Sequence, residues 1–298
     1  MTGRRVITFC FLCLSVVLLC GAEDPAPDSL RELARLKQDS NPARLDALQK
    51  ILQDRGISSE LQSFESVPSP HGRTRGNNLL LTFGTGPREI TLGAHYDALE
   101  LREGGLIDGM VDNGAGAIIL VRVADALKGR KLRHRVRIVF FDMEETGLLG
   151  SQAYVAAHKS DIIAAINLDV AGFGDTLGYG FGKAPGVAQI QKALLTACAE
   201  QLLMCLGSGN FPPGDDRSLQ NANIPVISVG FVPRLVALQA GLLLNGGENS
   251  GLEKGFVPEI FKIIHTPEDN LSKIEPATLD LGFQVVLNTV LKMDAVLE

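Results

Sequence analysis

Positive charge is in short supply: 28 Lys and Arg against 34 Asp and Glu give a net charge of −6, and no stretch gathers basic residues into a stripe. Binding along a phosphate backbone needs clustered Lys and Arg, so nucleic acid is excluded as a partner. An apolar run of the roughly 20 residues needed to cross a bilayer is also missing, so no membrane span is expected. Internal repeats and low-complexity segments are absent. What is present is a 45% apolar fraction over 298 residues, enough to build one large α/β domain with a substantial core.

Cysteine is scarce as well, and three of the five (Cys10, Cys13 and Cys20) fall at the very start. There, Arg4 and Arg5 precede the apolar residues 6–19 and the small-residue run Cys20-Gly21-Ala22. This is the pattern of a secretory leader, residues 1–22, cleaved after Ala22 to leave a mature domain 23–298. Lipidation of Cys20 and twin-arginine export through Arg4-Arg5 are the alternative routes. All three place the protein outside the cytoplasm, secreted to the extracellular space or the periplasm. The two remaining cysteines, Cys198 and Cys205, are too few for a zinc site. An oxidising compartment would allow them to pair. On one continuous helix, however, residues seven apart are separated by about two turns, roughly 10 Å, so a disulfide requires the helix to end between them.

Hydrophobic periodicity predicts helices over 30–37, 43–55, 148–158 and 187–203, another carrying Ile118, Val121, Ala124 and Leu127, and a C-terminal one from about Pro276. Strand patterns occupy 60–67, 77–82, 89–94, 136–141, 162–168 and 225–231, with a short one at 261–264. The Pro/Gly-rich loop 68–76 joins the first two as an antiparallel pair. Strands 136–141, 162–168 and 225–231 read as buried on both faces, as parallel strands are. Alternating β and α patterns imply a single doubly wound α/β domain: a mostly parallel central sheet with antiparallel edge strands and helices on both faces. The pattern weakens over 233–258, where the leucines fit either a pocket wall or a surface insertion. His71, His134 and His158 read as surface residues.

The chemistry gathers at the strand ends. One strand runs into Phe141-Asp142-Met143-Glu144-Glu145-Thr146-Gly147, another ends at His95-Tyr96-Asp97, a third at Asp169, and the 261–264 run at His265. Asp112 lies in the loop leading into the Ile118 helix. Ligands of open α/β sheets bind at the carboxyl ends of the strands, so these groups converge. Four carboxylates packed together would repel and raise one another's pKa values; divalent cations relieve that. Mixed imidazole and carboxylate suits zinc better than calcium or magnesium. Six groups exceed the three or four ligands of one catalytic zinc, leaving a second metal and a free acid/base group.

These segments, with Val111-Asp112-Asn113-Gly114-Ala115-Gly116, Leu148-Leu149-Gly150-Ser151, Asn167-Leu168-Asp169 and His265-Thr266-Pro267-Glu268-Asp269, occur in an order and spacing that closely resembles the M28 zinc peptidases, in particular their aminopeptidase branch. The resemblance implies two Zn2+ per chain: Asp112 bridging, His95 and Asp169 completing one site, and Glu145 and His265 the other. It implies Glu144 as general base and Asp97 as the carboxylate that orients His95. The expected activity is hydrolysis of N-terminal residues from peptides or small aminoacyl substrates. The chain departs from the family where a Ser-Asp-His run is usual; here it reads Gly214-Asp215-Asp216. Three readings compete: a single-zinc glutaminyl cyclase holding its metal on Asp112, Glu145 and His265, a carboxypeptidase of the same fold, and a non-catalytic binding module.

Overall fold

A computed structural model gives the structure of residues 28–298. The expected leader 1–22, with Cys10, Cys13 and Cys20, lies outside these described residues. The described residues begin with two helices, α1 (Asp28–Ala34) and α2 (Asn41–Asp54). Ser40 caps α2 by accepting from the Ala43 amide, and Pro42 occupies the first turn, where a missing N–H costs nothing.

Eight strands form one sheet: β1 (Glu60–Glu65), β2 (Arg75–Phe83), β3 (Glu89–His95), β4 (Arg135–Phe141), β5 (Ile162–Leu168), β6 (Thr176–Phe181), β7 (Met204–Ser208) and β8 (Val226–Val232). Their order across the sheet is β1-β2-β4-β3-β5-β8-β6-β7. The four central strands β4, β3, β5 and β8 are mutually parallel; β2 and β6 flank them antiparallel, and β1 and β7 are the edges. Helix α3 (Ala115–Leu127) carries the chain from β3 to β4 on one side, and α4 (Leu149–His158) then crosses back over to β5 on the other. Right-handed crossovers in opposite directions put these helices on opposite faces. Strand residues accordingly alternate between two cores. Ile138, Phe140, Ala164 and Ile166 join the large one with α3 and the C-terminal helix α9 (Pro276–Val296), while Val139, Phe141, Ala165 and Val226 join the smaller one with Tyr154 of α4.

Several elements differ from the sequence pattern. The helix expected over 187–203 is α5 (Val187–Glu200); Leu202 takes a left-handed φ of 52°, and the chain turns into β7. That break is what the cysteines needed: Cys198 and Cys205 form a disulfide across it, with Cα atoms 6.4 Å apart. Strand β6 went unread because Gly178 and Gly180 depress its β character; Phe211 packs over both, so closely at Gly180 that a Cβ would clash. Residues 261–264 are not a strand but lie mostly in the short helix α8 (Ile260–Ile263), whose Ile260 and Ile263 share a buried face. A four-residue apolar run carries no period that separates strand from helix. Two further helices were missed, α6 (Asp216–Asn221) and α7 (Arg234–Gly246), the latter in the weakly patterned stretch. His134 is also buried rather than on the surface, its backbone amide and Nδ1 both on the Asp294 carboxylate at 2.8 and 3.1 Å. No helix among the described residues is long and apolar enough to cross a membrane.

Candidate active site

Strand order sets the position of the site. Because the chain leaves β3 for β4 and then jumps back to β5, the carboxyl ends of these three neighbours border a topological switch point, where an open α/β sheet leaves a crevice. His95 closes β3, Glu144 and Glu145 follow β4, and Asp169 follows β5. Asp112 enters from the loop before α3, and His265 from the turn after α8.

Local backbone geometry aims these groups. Met143, Val170 and His265 all hold left-handed φ angles of 57°, 65° and 61°. For a β-branched residue such as Val170 this is strained, and packing must impose it. It does: the Phe231 amide donates to the Val170 carbonyl at 2.9 Å, and a Cβ at Gly230 would lie 2.6 Å from the Asp169 carbonyl oxygen. The turn after Glu145 depends on Gly150 in the same way, since a side chain there would strike the Asp142 carbonyl. The peptide between Asp112 and Asn113 is cis.

The two oxygens of Asp112 divide the cluster. Oδ1 lies 3.0 Å from His95 Nε2, which is also 3.6 Å from Asp169 Oδ1. Oδ2 lies 3.2 Å from His265 Nε2, itself 3.2 Å from Glu145 Oε2. Two donor triplets result, His95–Asp112–Asp169 and Asp112–Glu145–His265, each with its donor atoms within 4.8 Å of one another and sharing Asp112. The five residues expected to hold metal are thus brought together, with Glu144 beside them.

Asp97 meets the His95 ring and also reaches the two acids after β4. His95 Nδ1 lies 3.1 Å from the Asp97 backbone carbonyl and 3.6 Å from the carboxylate. The carboxylate also accepts the amides of Glu144 at 3.1 Å and Glu145 at 3.3 Å, fixing the backbone of both acids. With Nδ1 on that carbonyl, His95 turns Nε2 toward two carboxylates. Burial disfavours the charged ring, but Glu144, Asp112, Asp169 and Asp97 outweigh it and raise its pKa well above the ordinary histidine value.

Burial is the leading influence on the carboxylates. It pushes Glu144 up to about 10, with Asp169, Asp215 and Glu145 adding repulsion against the opposing charge of His95. Burial likewise raises Glu145 to about 7, although the hydrogen bond from His265 acts against it. Burial and the charge of Asp112 raise Asp169. At Asp112 itself burial is outweighed by His265 and His95, which hold its carboxyl below the ordinary range. Asp112 and Glu145 in turn push His265 up to about 11. So crowded a set of acids is stable to ionisation only with added positive charge, and its mixed imidazole and carboxylate donors fit zinc.

Several supporting residues escaped the sequence reading. Arg44, fully buried on α2, donates to the carbonyls of Leu36, Tyr96, Asp108 and Gly109 at 2.6–3.1 Å, tying the His95 loop to the Asp112 loop. Nothing in the leucine spacing of α2 signals that role. Asp269 accepts the amides of Val111 at 2.6 Å and Asp112 at 3.1 Å. It stood at the end of the His265 motif and was legible there. Asp215, in the departing Gly214-Asp215-Asp216 run, is 1% exposed with neither carboxylate oxygen hydrogen-bonded, and burial pushes it up to about 8. Gly214 lies against Asp169, where a Cβ would come within 2.3 Å of Oδ2.

A cavity of about 1090 Å3 opens onto the cluster, reaching Asp112, Glu144, Asp169 and His265 at its inner end. Phe211 and the paired Gly178 and Gly230 contribute its floor, α7 one wall, and Ile260, Phe261 and Ile264 another. The 233–258 stretch therefore supplies a pocket wall. Among the described residues, no Lys or Arg lines the cavity.

Residues 78–290 match the model of peptidase family M28. A probable leucine aminopeptidase of Arthroderma otae is 21% identical over 77% of this chain and 60% of its own length. The chain spans less than two thirds of the length of the curated relatives it first matches. Among solved structures, an aminopeptidase from Aneurinibacillus sp. strain AM-1 superposes with a TM-score of 0.65 at 14% identity, covering 89% of this chain and 93% of that one. A glutaminyl cyclase of Porphyromonas gingivalis gives 0.63 at 21% identity over 89% and 96%.

Proposed function

This chain belongs to peptidase family M28, and on that footing we propose that it is a zinc-dependent aminopeptidase with two zinc sites, removing residues from the N-termini of peptides. The observation that carries the reading is the sharing of Asp112 between two donor triplets beside a free acid, Glu144. His95, Asp112 and Asp169 would hold one ion, and Asp112, Glu145 and His265 the other. Bound zinc supplies Lewis acidity, polarising a substrate carbonyl and acidifying water.

The remaining work falls to side chains of this protein. The Glu144 carboxylate takes a proton from the attacking water and returns it to the departing amine. Asp97, through the amides of Glu144 and Glu145, holds both acids at the end of β4. Asp269 and Arg44 fix the Asp112 loop, so the cluster meets the substrate already arranged. The acidic inner end of the cavity suits a free α-ammonium group, and the apolar floor and walls suit an apolar side chain.

The rivals fare less well. A carboxypeptidase must pair the C-terminal carboxylate of its substrate, and among the described residues no cationic Lys or Arg lines the cavity. A single-zinc cyclase needs only the Asp112–Glu145–His265 triplet, leaving His95 against Asp169 without a purpose. The Cys198–Cys205 disulfide supports a site of action in an oxidising compartment outside the cytoplasm.

The test is a substrate panel on zinc-loaded protein: leucine anilide, an N-terminal Gln peptide, and a peptide blocked at its N-terminus with a free C-terminus. Chelator-sensitive cleavage of the anilide alone is expected. Cyclisation of the Gln peptide, or release of a C-terminal residue from the blocked peptide, would overturn the proposal.

A further inference from the structure

Helix α7 is unusual for its composition. It holds five leucines, a valine and two alanines in 13 residues, yet Val236 is its only buried residue. Leu235, Leu238 and Leu242 share one face and are 65%, 45% and 50% exposed. Helices this apolar are normally covered. Leu238 and Leu242 also line the cavity that contains Glu144 and Asp169, placing them at its outer rim. The helix is fixed there. Asn245 Nδ2 donates to Ser208 Oγ at 2.7 Å, its Oδ1 accepts the Asn210 amide at 3.1 Å, and Asn210 Nδ2 donates to the Leu244 carbonyl at 3.2 Å.

Gly241 sits in the middle of this helix and faces the same cavity. A glycine there weakens the helix relative to alanine. The protein's own packing does not require it, because a Cβ at Gly241 would meet nothing within 4 Å. What the missing side chain leaves is room inside the cavity.

We propose that α7 forms a second apolar subsite, beyond the scissile bond, so that the substrates are peptides with an apolar residue following the N-terminal one, and that Gly241 sets how large that residue can be. The proposal rests on the aminopeptidase reading above. At about 1090 Å3 the cavity lies at the upper end for small-molecule sites, more than one N-terminal residue needs. The ammonium end of a peptide belongs with the inner carboxylates, so its chain must run outward past Leu238 and Leu242. The described residues put no Lys or Arg in the lining, which disfavours acidic residues at that second position.

Zinc-loaded protein is assayed with Leu-Gly-Gly and Leu-Phe-Gly, and the ratio of kcat/KM values is read within each variant, which corrects for differences in folded fraction. The native protein should favour the Phe peptide about tenfold, the effect of partly burying one large apolar side chain. Leu238→Ser with Leu242→Ser should bring the preference to about threefold or less. Gly241→Leu should abolish it, and Gly241→Ala, which fits the open space, should fall between. A reduced-amide analogue of the Phe peptide, titrated calorimetrically, should weaken in the same order. A native ratio near one, or a ratio that none of these variants moves, would overturn the proposal. So would a concentration-dependent dimer lost in the double serine variant, which would make a second copy the occupant of α7. Failure to release leucine from either peptide would instead remove the aminopeptidase reading, and the subsite with it.

Discussion

Replacing Arg44 tests whether a side chain on α2 that touches no substrate sets up the metal centre. Its side chain is fully buried, and that burial lowers its pKa to about 10. Arg44→Leu leaves the carbonyls of Leu36, Tyr96, Asp108 and Gly109 without their donor. Each buried acceptor left unpaired costs about 1–3 kcal/mol, and Asp108 is partly reached by water. Recovering the desolvation of the lost charge offsets part of the sum, giving a net loss of about 3–5 kcal/mol. In a domain of this size that lowers Tm by roughly 10 °C. Because Tyr96 adjoins His95 and Gly109 begins the turn to Asp112, zinc affinity should also fall by about 10–100-fold. Urea unfolding of chelator-treated protein and competitive zinc titration of the native chain, Arg44→Leu and Arg44→Lys measure the two effects separately. Lys keeps the charge but not the fork of donors, and should lie between. A stability loss under about 1 kcal/mol with zinc affinity unchanged would refute the role assigned to Arg44.

Three further outcomes are expected. Glu144→Gln keeps zinc content while kcat falls by about 10^2–10^4-fold, the usual contribution of a positioned acid/base group; near-native turnover would remove Glu144 as the base. In chelator-treated protein, Glu144 and Glu145 titrate at about 10 and 7 in the fold, Asp215 at about 8 and His265 at about 11, all above their ordinary values. Each then binds a proton in the folded state that the unfolded chain has released, so stability is lost as pH rises from about 5 toward 9; a Tm that climbs over that interval would contradict the burial of these acids. Replacing Cys198 and Cys205 by serine opens a short loop and should cost about 2–3 kcal/mol in urea unfolding, whereas a loss below about 0.5 kcal/mol would show that the α5–β7 turn holds without the bond.

Much of this architecture was legible because burial leaves a period. The largely apolar strands β4, β5 and β8 declared a parallel sheet, and the acids and histidines at the strand ends declared where a ligand sits. What failed was local. Strand β6 carries glycines demanded by Phe211, a contact 31 residues or more away in sequence that no window detects. Helix α8 is too short to show a period. Asp97 lies beside the His95 ring as expected, but its carboxylate also accepts the Glu144 and Glu145 amides on the neighbouring strand, which no sequence window shows. Arg44 and Asp215 act through burial, and burial of an isolated charged residue is decided by tertiary packing alone.

The central claim is that one carboxylate, Asp112, serves two metal sites, and zinc stoichiometry tests it directly. Purified native protein should carry two zinc ions per chain, and Asp112→Ala should lose both together while His95→Ala loses one. Two full equivalents retained in the folded Asp112→Ala protein, or a single ion in the native chain, would contradict it.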